Sequence, residues 1–254
     1  MSLSGHLKEF RKRLFRAAVF VLLGSVGGWY LFDPVFQMLQ KPILDVSADK
    51  HIQATINFGS VVGALDLRTQ VSIFLGILIS SPIWLYQLWA FLSPGLKNKE
   101  RRWTLVFMAT ALPLFFSGCY MAWVALPSFV TSLLSFTPQG SANVINASEY
   151  ILFTLRLLLV FGIAFVLPAV LVLLNAAGII TAKGILKSWR LAVFVIAVIG
   201  ALATPVSDPM SMFIVMAPMV ALFFAAAGIA WANDKRRAGR LAVADAALEA
   251  ELSE

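Results

Sequence analysis

Apolar residues run along this chain in long blocks, and six of these blocks approach the roughly 20 residues that a bilayer-crossing helix needs. They cover residues 14–32, 71–92, 103–126, 151–174, 191–203 and 210–231. None alternates polar and apolar positions as a half-buried strand does, and their uniformly apolar faces suit helices immersed in lipid. The pattern predicts an all-α, polytopic membrane fold, with a six-helix membrane domain over 1–234 and a tail, 235–254, that is disordered or loosely helical. The fifth block reaches only about 20 Å across a hydrocarbon core of about 30 Å, unless its helix extends back into Ser188 and Trp189. Two longer connections, 33–70 and 127–150, are rich in Pro, Ser, Gly and Asn and read as partly helical caps on the outer side.

Composition removes the soluble alternatives. Only 13% of the 254 residues are charged, about half of what a water-exposed surface carries, and the mean hydropathy is +0.85. The net charge of +7 could suggest nucleic-acid binding, but that needs a basic face on a soluble fold. Here the cations gather between apolar blocks. The clusters are Lys8, Arg11, Lys12, Arg13 and Arg16; Lys97, Lys99, Arg101 and Arg102; Lys183, Lys187 and Arg190; and Lys235, Arg236, Arg237 and Arg240. Lys41, Lys50, Arg68 and Arg156 fall on the other side. Positive charge marks the cytoplasmic side, so both termini are expected inside, as an even number of spans requires. The first apolar block contains Arg16 and lacks a small-residue cleavage pattern, and it reads as a retained helix.

Candidate chemistry is sparse. One cysteine, Cys119, and two distant histidines, His6 and His51, match no metal-ligand spacing, and no cofactor motif is present. An intramembrane hydrolase would need a paired nucleophile and base, which the blocks lack. Gly24 and Gly28 have the spacing that lets a neighbouring helix approach closely. Ser80, Ser81 and Gln87 surround Pro82 and suit interhelical hydrogen bonds or the carbonyls that a proline frees. Arg156 is the one charge well inside a block; it either snorkels to the outer interface, pairs with Glu149, or serves a function. Glu9 and Glu100 are each the single acid within a basic cluster. They make either local helix pairs, Glu9 with Arg13 for example, or a receptor for a ligand with adjacent guanidinium groups.

Two strings sharpen this picture. His6-Leu7-Lys8-Glu9-Phe10-Arg11-Lys12-Arg13 and Ser81-Pro82-Ile83-Trp84-Leu85-Tyr86-Gln87-Leu88-Trp89-Ala90-Phe91-Leu92-Ser93-Pro94-Gly95-Leu96-Lys97-Asn98-Lys99-Glu100-Arg101-Arg102 resemble the TatC family of the twin-arginine protein translocase. The resemblance extends through Phe161-Gly162, Phe165 and Pro168 to Thr204-Pro205 and Asp208. It implies a receptor, not an enzyme, working without cofactor in the bacterial cytoplasmic (inner) membrane. Such a receptor binds Arg-Arg signal peptides of folded precursors, and it assembles into a multimeric complex with TatA- and TatB-type single-span subunits for export driven by the proton-motive force. By the same resemblance Glu9 and Glu100 bind the two signal arginines, while Arg13, Phe91, Pro94 and Leu96 shape the site; Pro42, Gln87 and Asp208 match further family positions. The short fifth span would offer a docking face to a partner helix. The chain departs from the family at Val166, where a glutamate often precedes Pro168, at Phe10 in place of Leu, and at Met212 in place of a glutamine. The alternative is a secondary transporter of a small solute, with Arg156, Gln87 and Asn175 as polar contacts.

Overall fold

The computed structural model describes residues 3–49, 54–58, 60, 62–92, 100–135, 143–203 and 209–252. The chain forms α1 (Leu3–Tyr30), α2 (Phe32–Asp49), β1 (Ala54–Asn57), α3 (Gly63–Ile79), α4 (Ser81–Leu92) and α5 (Glu100–Ser135). There follow β2 (Asn143–Asn146), α6 (Ala147–Ala176), α7 (Ala182–Lys187), α8 (Trp189–Ala203) and α9 (Pro209–Leu252). Three stretches, Thr104–Thr131, Ala147–Ala176 and Met216–Arg240, are long and apolar enough to cross a membrane unaided. Two bent pairs, α1 with α2 at 77° and α3 with α4 at 60°, pass the same test as pairs, and α8 is a shorter apolar helix. Many large apolar side chains, among them Leu22, Leu23, Leu191 and Phe194, are exposed, as suits helices that face lipid.

Prolines account for both bends. Pro34 and Pro82 stand in the first turns of α2 and α4, where a missing N–H is tolerated but cannot bond back into the preceding helix. At the first bend, Arg68 of α3 lies 5.0 Å from the ring centroids of both Trp29 and Phe32. It also reaches Asp33 at 3.5 Å, so one guanidinium ties the two arms of the bend to α3. At the second, the indole N–H of Trp84 donates to the Ile77 carbonyl at 2.9 Å, with the Ser80 hydroxyl 3.5 Å from the same oxygen. The carbonyl satisfaction expected of the serines falls mainly to a tryptophan.

Close approach of α1 to α3 depends on glycine. A Cβ on Gly28 would lie 2.6 Å from the Ser72 carbonyl oxygen, and one on Gly24 would lie 2.9 Å from that of Gly76. One apolar core joins α2, α3, α5 and α6 through Leu39, Val71, Leu126 and Ile151. A second joins α4, α5 and α6 through Leu85, Trp89, Phe107 and Phe115. Val166 is 3% exposed within this second cluster, so a carboxylate at that position would be buried among hydrocarbon and aromatic groups, at high cost.

The two long connections are partly helical, in α2 and at the end of α5, but they also hold a feature the pattern did not predict. β1 and β2 pair in parallel with Asn57 opposite Asn146. Each is four residues long, too short for alternation to be legible. Asn146 then caps α6, its side chain accepting from the Ser148 and Glu149 amides at 2.9 and 3.4 Å. The far end of α6 closes with Gly178 at φ 79°, Ile179 N–H donating to Leu174 and Gly178 N–H to Asn175, the paired bonds of a Schellman termination. Beyond its apolar part, α9 continues as helix through the basic cluster at Lys235 to Leu252.

Candidate functional site

The basic N-terminal string becomes the first three turns of α1, because Lys, Arg, Glu and Leu are all good helix formers. Helical spacing then places Arg13 one turn beyond Glu9 on the same face. The guanidinium Nη2 and Nε donate to Glu9 Oε1 at 2.5 and 3.1 Å. Both side chains are about one quarter exposed. The local pair expected from the spacing therefore exists, yet both contacts fall on one carboxylate oxygen, and Oε2 has no hydrogen-bond partner among the described residues.

Phe10 follows Glu9 and turns toward the end of α4, where its ring meets Phe91 at 5.2 Å between centroids and 56° between planes. This contact fixes the start of α1 against α4. Gln87 lies one turn before Phe91, and its buried Oε1 has no hydrogen-bond partner among the described residues. Trp89 stacks on Phe107 of α5 at 4.8 Å, which holds α4 antiparallel to α5 and sets the start of α5, where Glu100 stands, at the same end of the bundle. Of the Glu100 residue the structure describes only this place at the head of α5. Pro94, Leu96 and Asp208 lie outside the described residues.

Two candidates stand apart from this site. Pro42 is buried inside α2, beyond the far end of α1, which rises about 32 Å from Glu9 to Tyr30 at 1.5 Å per residue. Arg156 is exposed near the start of α6, and that start packs in the core shared with α2. The structure thus brings Glu9, Arg13, Phe10, Gln87 and Phe91 to one end and puts Pro42 and Arg156 toward the other.

Sequence reasoning missed a polar cluster where α6 meets α9. Asp234 accepts from the Asn175 amide at 2.8 Å and from the Ala182 backbone N–H at 2.7 Å. Asn175 also donates to the Ile180 carbonyl and accepts from Asn233. Asn175 is 1% exposed, so its amide is consumed in clamping the turn after α6 onto α9. An aspartate directly following an asparagine at the end of a long apolar block was the available signal, but its partner lies 59 residues earlier.

Fold and site together define a multi-pass membrane protein with a half-buried carboxylate among cations at one end of its helical bundle. The family described as "Sec-independent protein translocase protein (TatC)" matches residues 5–218. The Sec-independent protein translocase protein TatC of Xylanimonas cellulosilytica is 42% identical over 246 residues, covering 97% of this chain and 89% of the relative. TatCy of Bacillus subtilis is 34% identical over 225 residues, covering 88% of this chain and 86% of the relative. A crystal structure of the twin arginine translocase receptor TatC in the detergent DDM superposes with a TM-score of 0.78 at 30% identity, covering 89% of this chain and 99% of that one. This chain belongs to the TatC family of protein translocase subunits.

Proposed function

We propose that the chain is the receptor core of a twin-arginine protein translocase. It binds Arg-Arg signal peptides of folded precursors at the cytoplasmic face and assembles with TatA- and TatB-type single-span subunits for export driven by the proton-motive force. Its spans are α1, α3 with α4, α5, α6, α8 and the first part of α9, and both termini face the cytoplasm from the bacterial inner membrane. Glu9 and Glu100 receive the two signal arginines, and Arg13, Phe91, Pro94 and Leu96 shape their surroundings.

The observation that carries this reading is the placement of Glu9. Its carboxylate is about three quarters buried on a helix studded with cations, beside the Phe10–Phe91 contact and at the bundle end where α5 begins. One guanidinium donates two parallel N–H bonds to a carboxylate in planar geometry, and lysine cannot reproduce that fork. Beside α8, a cavity of about 760 Å³ lined by Leu171, Ile196, Phe223 and neighbouring apolar side chains supports that helix as the docking face for a single-span partner. The small-solute transporter loses ground because Asn175, one of its three polar contacts, is saturated within the protein.

Photo-crosslinking with a twin-arginine precursor tests the assignment. Glu100→Ala should insert normally yet lose the crosslink from the N-terminal part of α1, and a Lys-Lys precursor should fail in the same way. Equal crosslinking of Arg-Arg and Lys-Lys signal peptides would sink it.

A further inference from the structure

A second, smaller groove lies between α3 and α6. Each helix contributes one stripe at helical spacing, Gln70, Ile73 and Ile77 from α3 and Leu152, Arg156 and Leu159 from α6, around a volume of about 300 Å³. The floor is closed, since Phe74 is 7% and Leu155 3% exposed, while Ile73 and Arg156 are exposed along the side. The two helices start side by side, because the strands that precede them pair in parallel. The groove therefore has one orientation relative to the bilayer, with Gln70 and Leu152 nearest the helix starts and Ile77 and Leu159 furthest in.

Arg156 is the unsettled group in this groove. It stands nine residues into α6, about 14 Å along the axis at 1.5 Å per residue. It has no ion pair and no hydrogen bond among the described residues, and Glu149 does not bridge to it. Gln70 is already engaged, donating to Asp66 at 2.7 Å. A guanidinium at that depth in an apolar helix is expensive without an anion. Side chains on a helix lean toward its N-terminus, which here sends Arg156 toward the nearer membrane surface.

Size decides what kind of anion arrives. Three turns of a helix about 10 Å wide fill more than about 1,000 Å³, several times the groove, whereas one hydrocarbon chain fits along it. We infer that the α3–α6 groove holds a phospholipid, its phosphodiester on the Arg156 guanidinium and one acyl chain along Ile73, Ile77 and Leu159. The fork of an arginine matches two phosphate oxygens. With the topology proposed above, on which only this detail rests, the lipid belongs to the outer leaflet.

Native mass spectrometry on the full-length chain, extracted from nanodiscs containing phosphatidylglycerol, phosphatidylcholine or added diacylglycerol, reads the site without signal peptide or partner subunits. The wild type should retain one phospholipid of either headgroup, and Arg156→Gln should weaken its retention by about tenfold or more, as expected for a lost charge-assisted hydrogen bond. Diacylglycerol, lacking the phosphate, should not be retained. Ile73→Trp, which fills the groove and leaves Arg156 in place, should also lose the lipid. Equal retention by wild type and Arg156→Gln overturns the proposal, as does retention of diacylglycerol, or a photo-crosslinker at Ile73 that captures a single-span protein instead of lipid. Labelling of Phe58→Cys by a membrane-impermeant reagent reads the leaflet separately. Retention together with labelling from the cytoplasmic side would uphold the phosphate site and overturn the orientation assigned above.

Discussion

Arg13 grips Glu9 through a single oxygen, Nη2 at 2.5 Å and Nε at 3.1 Å from Oε1. A partly exposed i,i+4 pair of this kind contributes about 0.3–0.5 kcal/mol. A ligand guanidinium bonded to the same carboxylate contributes about 1.5–3 kcal/mol. Glu9→Gln should therefore leave thermal stability within about 0.5 kcal/mol of wild type, while weakening twin-arginine peptide binding by about 10- to 100-fold. Thermal unfolding and peptide titration in the same detergent separate the two effects. A large stability loss with unchanged peptide affinity would show that Glu9 is only a helix brace.

The Phe10–Phe91 contact, 5.2 Å between centroids, makes a different prediction. Tilted aromatic pairs contribute about 0.5–1.5 kcal/mol beyond their buried area. A double-mutant cycle with Phe10→Leu and Phe91→Leu should show a coupling of that size in unfolding free energy. Phe10→Leu substitutes the residue usual in the family, so it isolates the ring contact without removing the apolar side chain. Additive effects would mean that the two rings do not brace α1 on α4.

The apolar blocks were legible because each spans many residues and membrane helices satisfy their backbone internally. So was the pair Glu9–Arg13, since it depends only on spacing within one helix. The bend at Pro82 was also visible, but which group would satisfy Ile77 was not. Trp84 reaches back seven residues to do so, a choice made by side-chain packing. The parallel pairing of Ala54–Asn57 with Asn143–Asn146 and the Asp234–Asn175 bond join residues far apart in sequence. No local period or propensity encodes such partners. The sequence marks Arg68 only as a cation on the outer side, because its two aromatic neighbours come from another helix pair.

Asp234 supplies a test of that missed cluster. Its two oxygens receive the Ala182 amide and the Asn175 side chain, and Asn175 is 1% exposed. Asp234→Ala leaves a buried amide donor and a backbone N–H unpaired, at a cost of about 1–3 kcal/mol each. Asp234→Asn keeps one acceptor and should lose less. Limited proteolysis in detergent should show faster cleavage between residues 177 and 188 in Asp234→Ala than in Asp234→Asn or wild type. Equal cleavage in all three would mean that the cluster does not hold this turn.

Two glycines in different surroundings give opposite expectations for the same substitution. Gly28 faces α3 so closely that a Cβ would lie 2.6 Å from the Ser72 carbonyl oxygen and 2.8 Å from Leu75 Cβ. The nearer obstacle is backbone, which cannot rotate away, so Gly28→Ala must push α1 from α3 and should cost about 1–3 kcal/mol. Gly228, within α9, has nothing within 4 Å of the same added atom. There alanine meets no obstacle, and its higher helix propensity favours the folded state by up to about 1 kcal/mol. Thermal unfolding of the two variants in one detergent should move the midpoint down for Gly28→Ala and leave it level or higher for Gly228→Ala. If both fall by the same amount, the close approach of α1 to α3 is not what Gly28 provides, and the GxxxG spacing of Gly24 and Gly28 loses its physical basis in this protein.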